Sequence, residues 1–274
     1  MTSPAHRANL GAERRLRDAI RSYGRCMVAF SGGVDSALVT AIASQELGPG
    51  ALAVTGISPS LPARERRAAV AFAAAIGARH ETFDTLEVAD ERYAANPSNR
   101  CYYCKTELYG RLVPYARRRG FAIVADGLNR DDLGEIRPGR RAAEEHGVRS
   151  PLAEAGLTKA DVRALAHELE LAVWDKPAAA CLSSRFPTGT AITPELLQRV
   201  ERAEDVLHLA GFADCRVRHH GDLARIEVPP GAIPGVLAAR RHLANAMHDA
   251  GYRYVTLDVA GYVRGGVVDL IAPA

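Results

Sequence analysis

Hydrophobic positions along the chain change their period in a regular way. Leu10, Leu16 and Ile20 recur at helical spacing among Arg and Glu, which predicts an amphipathic helix over about Asn9–Ser22. The short apolar run CMVAF, residues 26–30, ends at two glycines and reads as a buried strand. An Ala-rich helix over Val34–Leu47 follows and stops at Gly48-Pro49-Gly50. Ala51–Gly56 predicts a second buried strand, Leu61–Ile76 a helix closed by Gly77, and Arg79–Phe83 a third strand. Residues 84–101 read as polar and irregular, Lys105–Arg119 as a helix ended by Gly120, and Phe121–Ala125 as another buried strand. Strands alternating with helices predict an α/β architecture, a parallel sheet covered on both faces.

The texture changes over Trp174–Thr193, where WDKPAAACLSSRFPTGTAIT has little apolar periodicity. Beyond it, Pro194–Ala210 and Ala232–His248 read as helices. Cys215–His220, Ala224–Val228 and Tyr254–Val259 read as strands. This places a boundary near residue 186, with a nucleotide domain over 1–186 and a smaller α+β domain over 187–274.

Composition narrows the class. The 274 residues are 47% hydrophobic and 24% charged, as in ordinary globular proteins. A net charge of +3 gives no electrostatic case for nucleic acid. No apolar run approaches the roughly 20 residues of a membrane span, and the first 20 residues hold no apolar signal core. The expectation is a cytoplasmic chain with no membrane or nucleic-acid partner. Five cysteines then suggest thiol chemistry or metal ligation, not a disulfide framework.

Ser31-Gly32-Gly33-Val34-Asp35-Ser36 lies between a predicted buried strand and a predicted helix. Two glycines allow a sharp turn and close approach of the backbone to an anion. The helix start supplies unpaired N–H groups and the positive end of the dipole. Ser31 and Ser36 add hydroxyls, and the Asp35 carboxylate suits Mg²⁺ held against phosphates. A plain glycine turn with a serine cap is the bland alternative. GxxxxGK[ST] and GxGxxG are both absent. The hexapeptide resembles the loop of the PP-loop ATP pyrophosphatases, the adenine nucleotide alpha hydrolase-like fold. That resemblance implies ATP and Mg²⁺ as cofactors, a grip on the pyrophosphate of ATP, and adenylation of an acceptor. It also implies that Gly56, Ile57 and Ser58 contact adenine and that Asp126–Asn129, with Gly127 and Asn129, line the same crevice.

Cys101-Tyr102-Tyr103-Cys104 is a C-x-x-C pair, and Cys181 lies far downstream. Three thiolates suit a [4Fe–4S] cluster with one open iron, zinc with water or His, or a redox dithiol beside an unrelated thiol. An incidental pair is the bland reading. Cys26 and Cys215 fall in predicted strands and read as core. Longer blocks are more specific. NPSNRCYYCKTELY, DGLNRDDLGEIRPGRRAAEEHGVRSPLAEAGLTKADVR, WDKPAAACLSSRFPTGTAIT, RVRHHGDLARIEV and GYRYVTLDVAGY resemble the LarE family of ATP-dependent sulfurtransferases over nearly the whole chain.

The resemblance implies a pyridinium-3,5-biscarboxylic acid mononucleotide substrate, whose carboxylates are adenylated and converted to thiocarboxylates in nickel-pincer nucleotide synthesis. It assigns sulfur transfer to Cys181, either as a sacrificial donor or as a ligand with Cys101 and Cys104 of a [4Fe–4S] cluster. All three cysteines are present, which favours the cluster. It also implies an external sulfur donor and a homo-oligomer, a hexamer in relatives. One departure is GYVRGG near the C-terminus, where Gly266 stands at a position expected to carry a hydroxyl.

Arg216, Arg218 and His220 share one face of a predicted strand, and guanidinium groups suit phosphate. The family likeness turns Arg216 and Arg218 toward the substrate phosphate and makes Glu227 a candidate beside them. A solvated strand face is the alternative. Arg185, just after Cys181, is read as catalytic, through an acyl-adenylate phosphate or the thiol, and Lys105 beside Cys104 could serve likewise. Asp132, Glu135 and Arg137 are candidates for a loop over the nucleotide. Trp174 and Lys176 receive no role. Rival functions are a tRNA thiolase on the same loop, a nucleotide-sensing or zinc-binding module without catalysis, and an ammonia-using amide synthetase.

Overall fold

The computed structural model describes residues 4–134, 138–177 and 180–262. Glu135, Arg137 and the GYVRGG segment beyond Tyr262 lie outside the described residues. The chain forms two compact units, one from residues 1–93 and 99–179, the other from 94–98 and 180–274.

The first unit is an α/β layer structure. Four strands, β1 (Cys26–Ala29), β2 (Ala51–Ile57), β3 (His80–Asp84) and β4 (Ile123–Ala125), pair in the order β3-β2-β1-β4. All three pairings are parallel. Both faces are buried, and alternation sorts their side chains. Cys26, Val28, Ala51 and Ala53 enter one core, while Met27, Leu52 and Val54 enter the other. The first core is completed by α1 (Pro4–Tyr23), α2 (Val34–Leu47), α3 (Ala63–Ala75), α7 (Pro151–Glu154) and α8 (Lys159–Glu168). The second rests on α5 (Arg100–Arg118) and α6 (Pro138–Glu145).

Strand order decides where a ligand can enter. From β1 the chain crosses to β2 on one side, and β4 lies on the other. The carboxyl ends of β1 and β4 therefore flank a switch point, where open α/β sheets form a crevice. The glycine-rich loop leaves β1 there, and Asp126–Asn129 leaves β4 beside it.

The stretch 84–101 is more ordered than its polarity predicts. It holds a 3₁₀ turn at Glu87–Ala89, the short α4 (Glu91–Ala94) and the first turn of α5. Helix α5 begins at Arg100, not at Lys105, because its buried stripe of Tyr109, Leu112 and Ala116 anchors a helix whose first turn needs no apolar side chain. Both cysteines of the C-x-x-C pair thereby become helical.

In the second unit, α9 (Pro194–Leu209) precedes β5 (Arg216–His220) and β6 (Leu223–Glu227), which pair antiparallel. Strand β7 (Tyr254–Leu257) joins β6 in parallel. The helix expected over 232–248 is instead a 3₁₀ turn followed by α10 (Ile233–Ala238) and α11 (Arg240–Asp249), divided at Ala239. Pro234 at the start of α10 fits only a first turn, so the helical run cannot begin earlier as one piece. Ala203, Leu207, Val217, Ile226, Leu243 and Met247 form this unit's core. Residues 94–98 are stitched to it: Ile192 N–H donates to Ala94 O (2.8 Å) and Gly189 N–H to Asn96 O (2.8 Å). No helix among the described residues is long and apolar enough to cross a membrane.

Candidate active site

The loop after β1 is shaped by two glycines and pinned by one serine. Gly32 adopts φ +77°, a left-handed conformation that glycine enters without cost. Gly33 is the extended N-cap of α2 and has no capping side chain, so the first N–H groups of α2 keep no helical acceptor. Ser36 is buried, and its Oγ accepts from Ser31 N (3.2 Å), lies 3.1 Å from Ser31 Oγ and donates to Gly33 O (3.1 Å). The Ser36 hydroxyl is thus spent on the loop's own shape.

Asp35 stands on the first turn of α2. Its carboxylate forms an ion pair with Lys159 Nζ and accepts from Asn129 Nδ2 (3.1 Å). Asn129 is itself fixed. Its N–H donates to Asp132 Oδ2 (3.0 Å), and its Oδ1 accepts from Asp131 N (2.9 Å). Lys159 opens α8 under a capping box formed by Thr158 and Asp161, and its N–H donates to Asp131 Oδ2 (2.8 Å). The loop carries no lysine, but the fold brings one from 124 residues away.

Gly127 fits tightly against this helix start. A Cβ there would fall 2.6 Å from Ser36 N and 3.0 Å from Asp35 C, both backbone atoms that cannot swing aside. Gly127→Ala should therefore cost about 1–3 kcal/mol of stability and weaken ATP binding by displacing the α2 N-terminus. Thermal unfolding with an ATP titration checks this, and wild-type values for both would refute the close-approach argument.

A cleft of about 420 Å³ opens at the switch point. Ser31, Asp35 and Ser36 form one part of its lining, Asp126, Gly127 and Asp132 another, and Cys101, Lys105, Tyr109 and Arg140 a third. Cys101 and Cys104 stand three residues apart on α5, hence on one helix face. Cys101 is exposed and Cys104 half-buried. Tyr109 OH donates to Asp126 Oδ2 (3.2 Å), and Lys105 Nζ lies 5.4 Å from the Tyr109 ring centre. Tyr109, then Cys104 and Asp126, hold the Lys105 pKa above the ordinary lysine range, against the opposing effect of burial.

Gly56 and Ser58, at the end of β2, lie outside that lining. A Cβ on Gly56 would meet Thr85 Cγ2 at 3.1 Å. Ser58 Oγ donates to the buried Glu87 carboxylate and lies 2.8 Å from Ser60 Oγ. None of the five cysteines forms a disulfide. Burial pushes the Cys26 thiol up to about 12, as suits a core residue. Cys215 is buried too, with Sγ 3.7 Å from His208 Nε2. Among the described residues no three His, Cys, Asp or Glu side chains converge as a metal-binding group.

The second unit holds the remaining candidates. Cys181 is half-buried at the cap of a 3₁₀ turn, Leu182–Arg185. Arg185 is only 1% exposed and forms a two-pronged ion pair with Glu204, at 2.8 and 3.0 Å. Its Nη1 donates to Ala180 O (2.8 Å), Cys181 O (3.1 Å) and Ser184 Oγ (2.9 Å). Arg185, expected to be catalytic, thus has its guanidinium buried and bonded to the Cys181 segment.

Arg218 is likewise buried. It pairs with Glu227 (2.9 Å) and donates to Ser184 O (2.8 Å). Burial lowers its pKa, and Glu227 opposes the shift. Arg216, half-buried, faces Glu227 across the β5–β6 register and lies 5.0 Å from the Tyr262 ring centre. Arg216, Arg218 and Glu227 are thus brought together.

Comparison with known proteins decides the family. The asparagine synthase family model matches residues 12–98, which span the loop and the first three strands. An uncharacterized protein of Synechocystis sp. is 48% identical over 252 residues, 91% of this chain and 94% of that one. The pyridinium-3,5-bisthiocarboxylic acid mononucleotide synthase of Lactiplantibacillus plantarum is 38% identical over 257 residues, 93% of each chain. The chain belongs to the LarE family. It is an ATP-dependent sulfurtransferase built on a PP-loop domain. A more distant relative, an uncharacterized protein of Methanocaldococcus jannaschii, is 27% identical over 87% of this chain and 90% of that one.

Two residues of this LarE chain escaped the sequence reading. Lys159 follows Thr158 in a T-x-x-D pattern, the local signal for a helix start that could have drawn notice to it. Its pairing with Asp35 had no sequence signal. Lys176 donates to Gly32 O (3.0 Å) and to Glu65 Oε2 (2.8 Å), another contact no local pattern foretells.

Proposed function

We propose that this enzyme adenylates the carboxylates of pyridinium-3,5-biscarboxylic acid mononucleotide and converts them to thiocarboxylates for the nickel-pincer nucleotide. The observation that carries this reading is a single cleft lined both by the phosphate loop and by Cys101. Activation and sulfur chemistry then share one wall. The synthase relative, similar over nearly its whole length, supplies the substrate class.

In this reading ATP enters with its pyrophosphate on the N–H groups of Gly33 to Ser36 and beside Lys159. Asp35 suits Mg²⁺, which takes one or two carboxylates and otherwise phosphate oxygens and water. A substrate carboxylate oxygen attacks the α-phosphorus, the bond to the bridging oxygen breaks, and pyrophosphate leaves. Its growing charge meets oriented amides and the Lys159 ammonium, fixed in advance by the fold. Lys105 supplies positive charge on the facing wall for the acyl-adenylate phosphate. A sulfur nucleophile then adds to the acyl carbon and AMP departs. Arg216 and Arg218 of the second unit, steadied by Glu227, bind the substrate phosphate. The first unit thereby activates and the second holds the acceptor. Gly56 and Ser58 border the adenine, which Ser58 meets with its main chain since its hydroxyl is committed to Glu87.

Cys101, Cys104 and Cys181 are the proposed ligands of a [4Fe–4S] cluster. Two thiols on one face of α5, one of them exposed in the cleft, fit such a donor set. When bound, the cluster would supply the transferable sulfur at its open iron, recharged by an external donor. The same reading carries a homo-oligomer. Iron and acid-labile sulfide are expected at about four each per chain after anaerobic purification, and Cys101→Ala should lose both. No iron after reconstitution would overturn the cluster and leave Cys181 as a sacrificial donor.

A further inference from the structure

The Gly32–Gly33 peptide is the softest link in the phosphate loop. Neither residue has a Cβ, so rotation of the whole peptide plane meets little steric resistance. Its orientation nevertheless matters. In a trans peptide the C=O of Gly32 and the N–H of Gly33 point in opposite directions. Turned one way, the plane offers an N–H to an anion. Turned the other way, it offers a carbonyl oxygen, which repels one.

Lys176 settles that choice. Its Nζ donates to Gly32 O at 3.0 Å and to Glu65 Oε2 at 2.8 Å. Both side chains are largely covered, at 21% and 15% exposure, so the charge-assisted bonds are shielded from water. Gly32 itself rests on α3, where the position of its missing Cβ is 3.3 Å from Ala69 Cβ. With the carbonyl drawn toward Lys176 and Glu65, the Gly33 N–H is directed away from them.

Lys176 is held in turn by α8. Arg163 donates to Lys176 O (3.0 Å) and to Trp174 O (3.0 Å). Arg163 stands one helical turn after Lys159, the partner of Asp35. One helix thus braces the loop at two points, directly at Asp35 and through the Trp174–Lys176 segment at Gly32.

We infer that Lys176 is a positioning residue that locks the Gly32–Gly33 peptide with its N–H toward the pyrophosphate of ATP. This rests on the reading of Ser31–Ser36 as the pyrophosphate grip. The test is equilibrium binding of inorganic pyrophosphate, MgATP and AMP to the full chain and to Lys176→Met, Lys176→Arg and Arg163→Met. Lys176→Met should weaken pyrophosphate and MgATP about tenfold or more, with AMP affinity and melting temperature close to wild type. Lys176→Arg should restore most of the loss, because a guanidinium can reach the same two acceptors. Arg163→Met, which loosens only the segment carrying Lys176, should weaken pyrophosphate in the same direction by less. In ATP–pyrophosphate exchange the Lys176→Met defect should fall mainly on KM for ATP. Pyrophosphate binding equal to wild type in Lys176→Met would overturn the inference while leaving the loop assignment standing. An equal loss of AMP would also overturn it. Wild-type protein that binds no pyrophosphate would overturn the loop reading itself.

Discussion

Cys181→Ala should abolish thiocarboxylate formation and leave the first-turnover burst of substrate-dependent pyrophosphate release close to wild type, with AMP retained in the acyl-adenylate. The structure explains why so clean a separation is expected. The Cys181 segment is anchored by its main chain, not by its thiol. Cys181 O accepts from Arg185 Nη1 (3.1 Å), from Ser184 N (3.0 Å) and from Ser184 Oγ (2.8 Å). All three bonds survive in alanine. The variant therefore removes Sγ and little else, and the loop of the first unit proposed to grip ATP is untouched. Parallel assays of pyrophosphate release and thiocarboxylate product decide the matter. Equal loss of both would make Cys181 part of activation, against the division of labour proposed above. The contrasting variant is Arg185→Met. It should impair sulfur transfer indirectly and also lower stability, since Glu204 would be left buried without its partner.

Asp35→Asn should lower pyrophosphate release by about 10²-fold or more, the range found when a preorganised charge-stabilising group is removed. The substitution is nearly isosteric. The amide oxygen can still accept from Lys159 or Asn129, so the start of α2 keeps its support. What disappears is the negative charge, and with it the proposed ligand for Mg²⁺ beside the phosphates. The expected signature is a raised Mg²⁺ requirement with a nearly unchanged melting temperature. Lys159 is one-third exposed and stays solvated when its partner becomes neutral, so its own cost in stability is modest. Full retention of pyrophosphate release at low Mg²⁺ would show that Asp35 serves only to fix Lys159, and the metal assignment would fall.

Much of the fold was legible because its signals are local. Buried strands appear as apolar runs bounded by glycine, and alternation with helices is the mark of a parallel sheet. The SGGVDS loop could be recognised because glycine, serine and acid at a strand–helix junction have few other uses. Failures came where tertiary contacts outvote local texture. Residues 84–101 look polar, yet α5 extends back to Arg100 once Tyr109, Leu112 and Ala116 fix its buried face. That extension puts Cys101 and Cys104 on one helical face and Cys101 in the lining of the cleft.

Side-chain roles divide along the same line. The residue types at Asp35, Cys101, Cys104 and Cys181 made them candidate groups wherever they lie, and the resemblance of the longer sequence blocks to the LarE family supplied the class of reaction. Partnerships over long separations were decided only by the tertiary structure. Lys159 reaches Asp35 across 124 residues, and Lys176 reaches Gly32 across 144. Burial was also invisible in the sequence. No local pattern showed that the fold would enclose Arg185 with Glu204 and Arg218 with Glu227. A charged residue announces what it can bind, but burial and geometry settle whether its hydrogen bonds go to the protein or remain for a ligand.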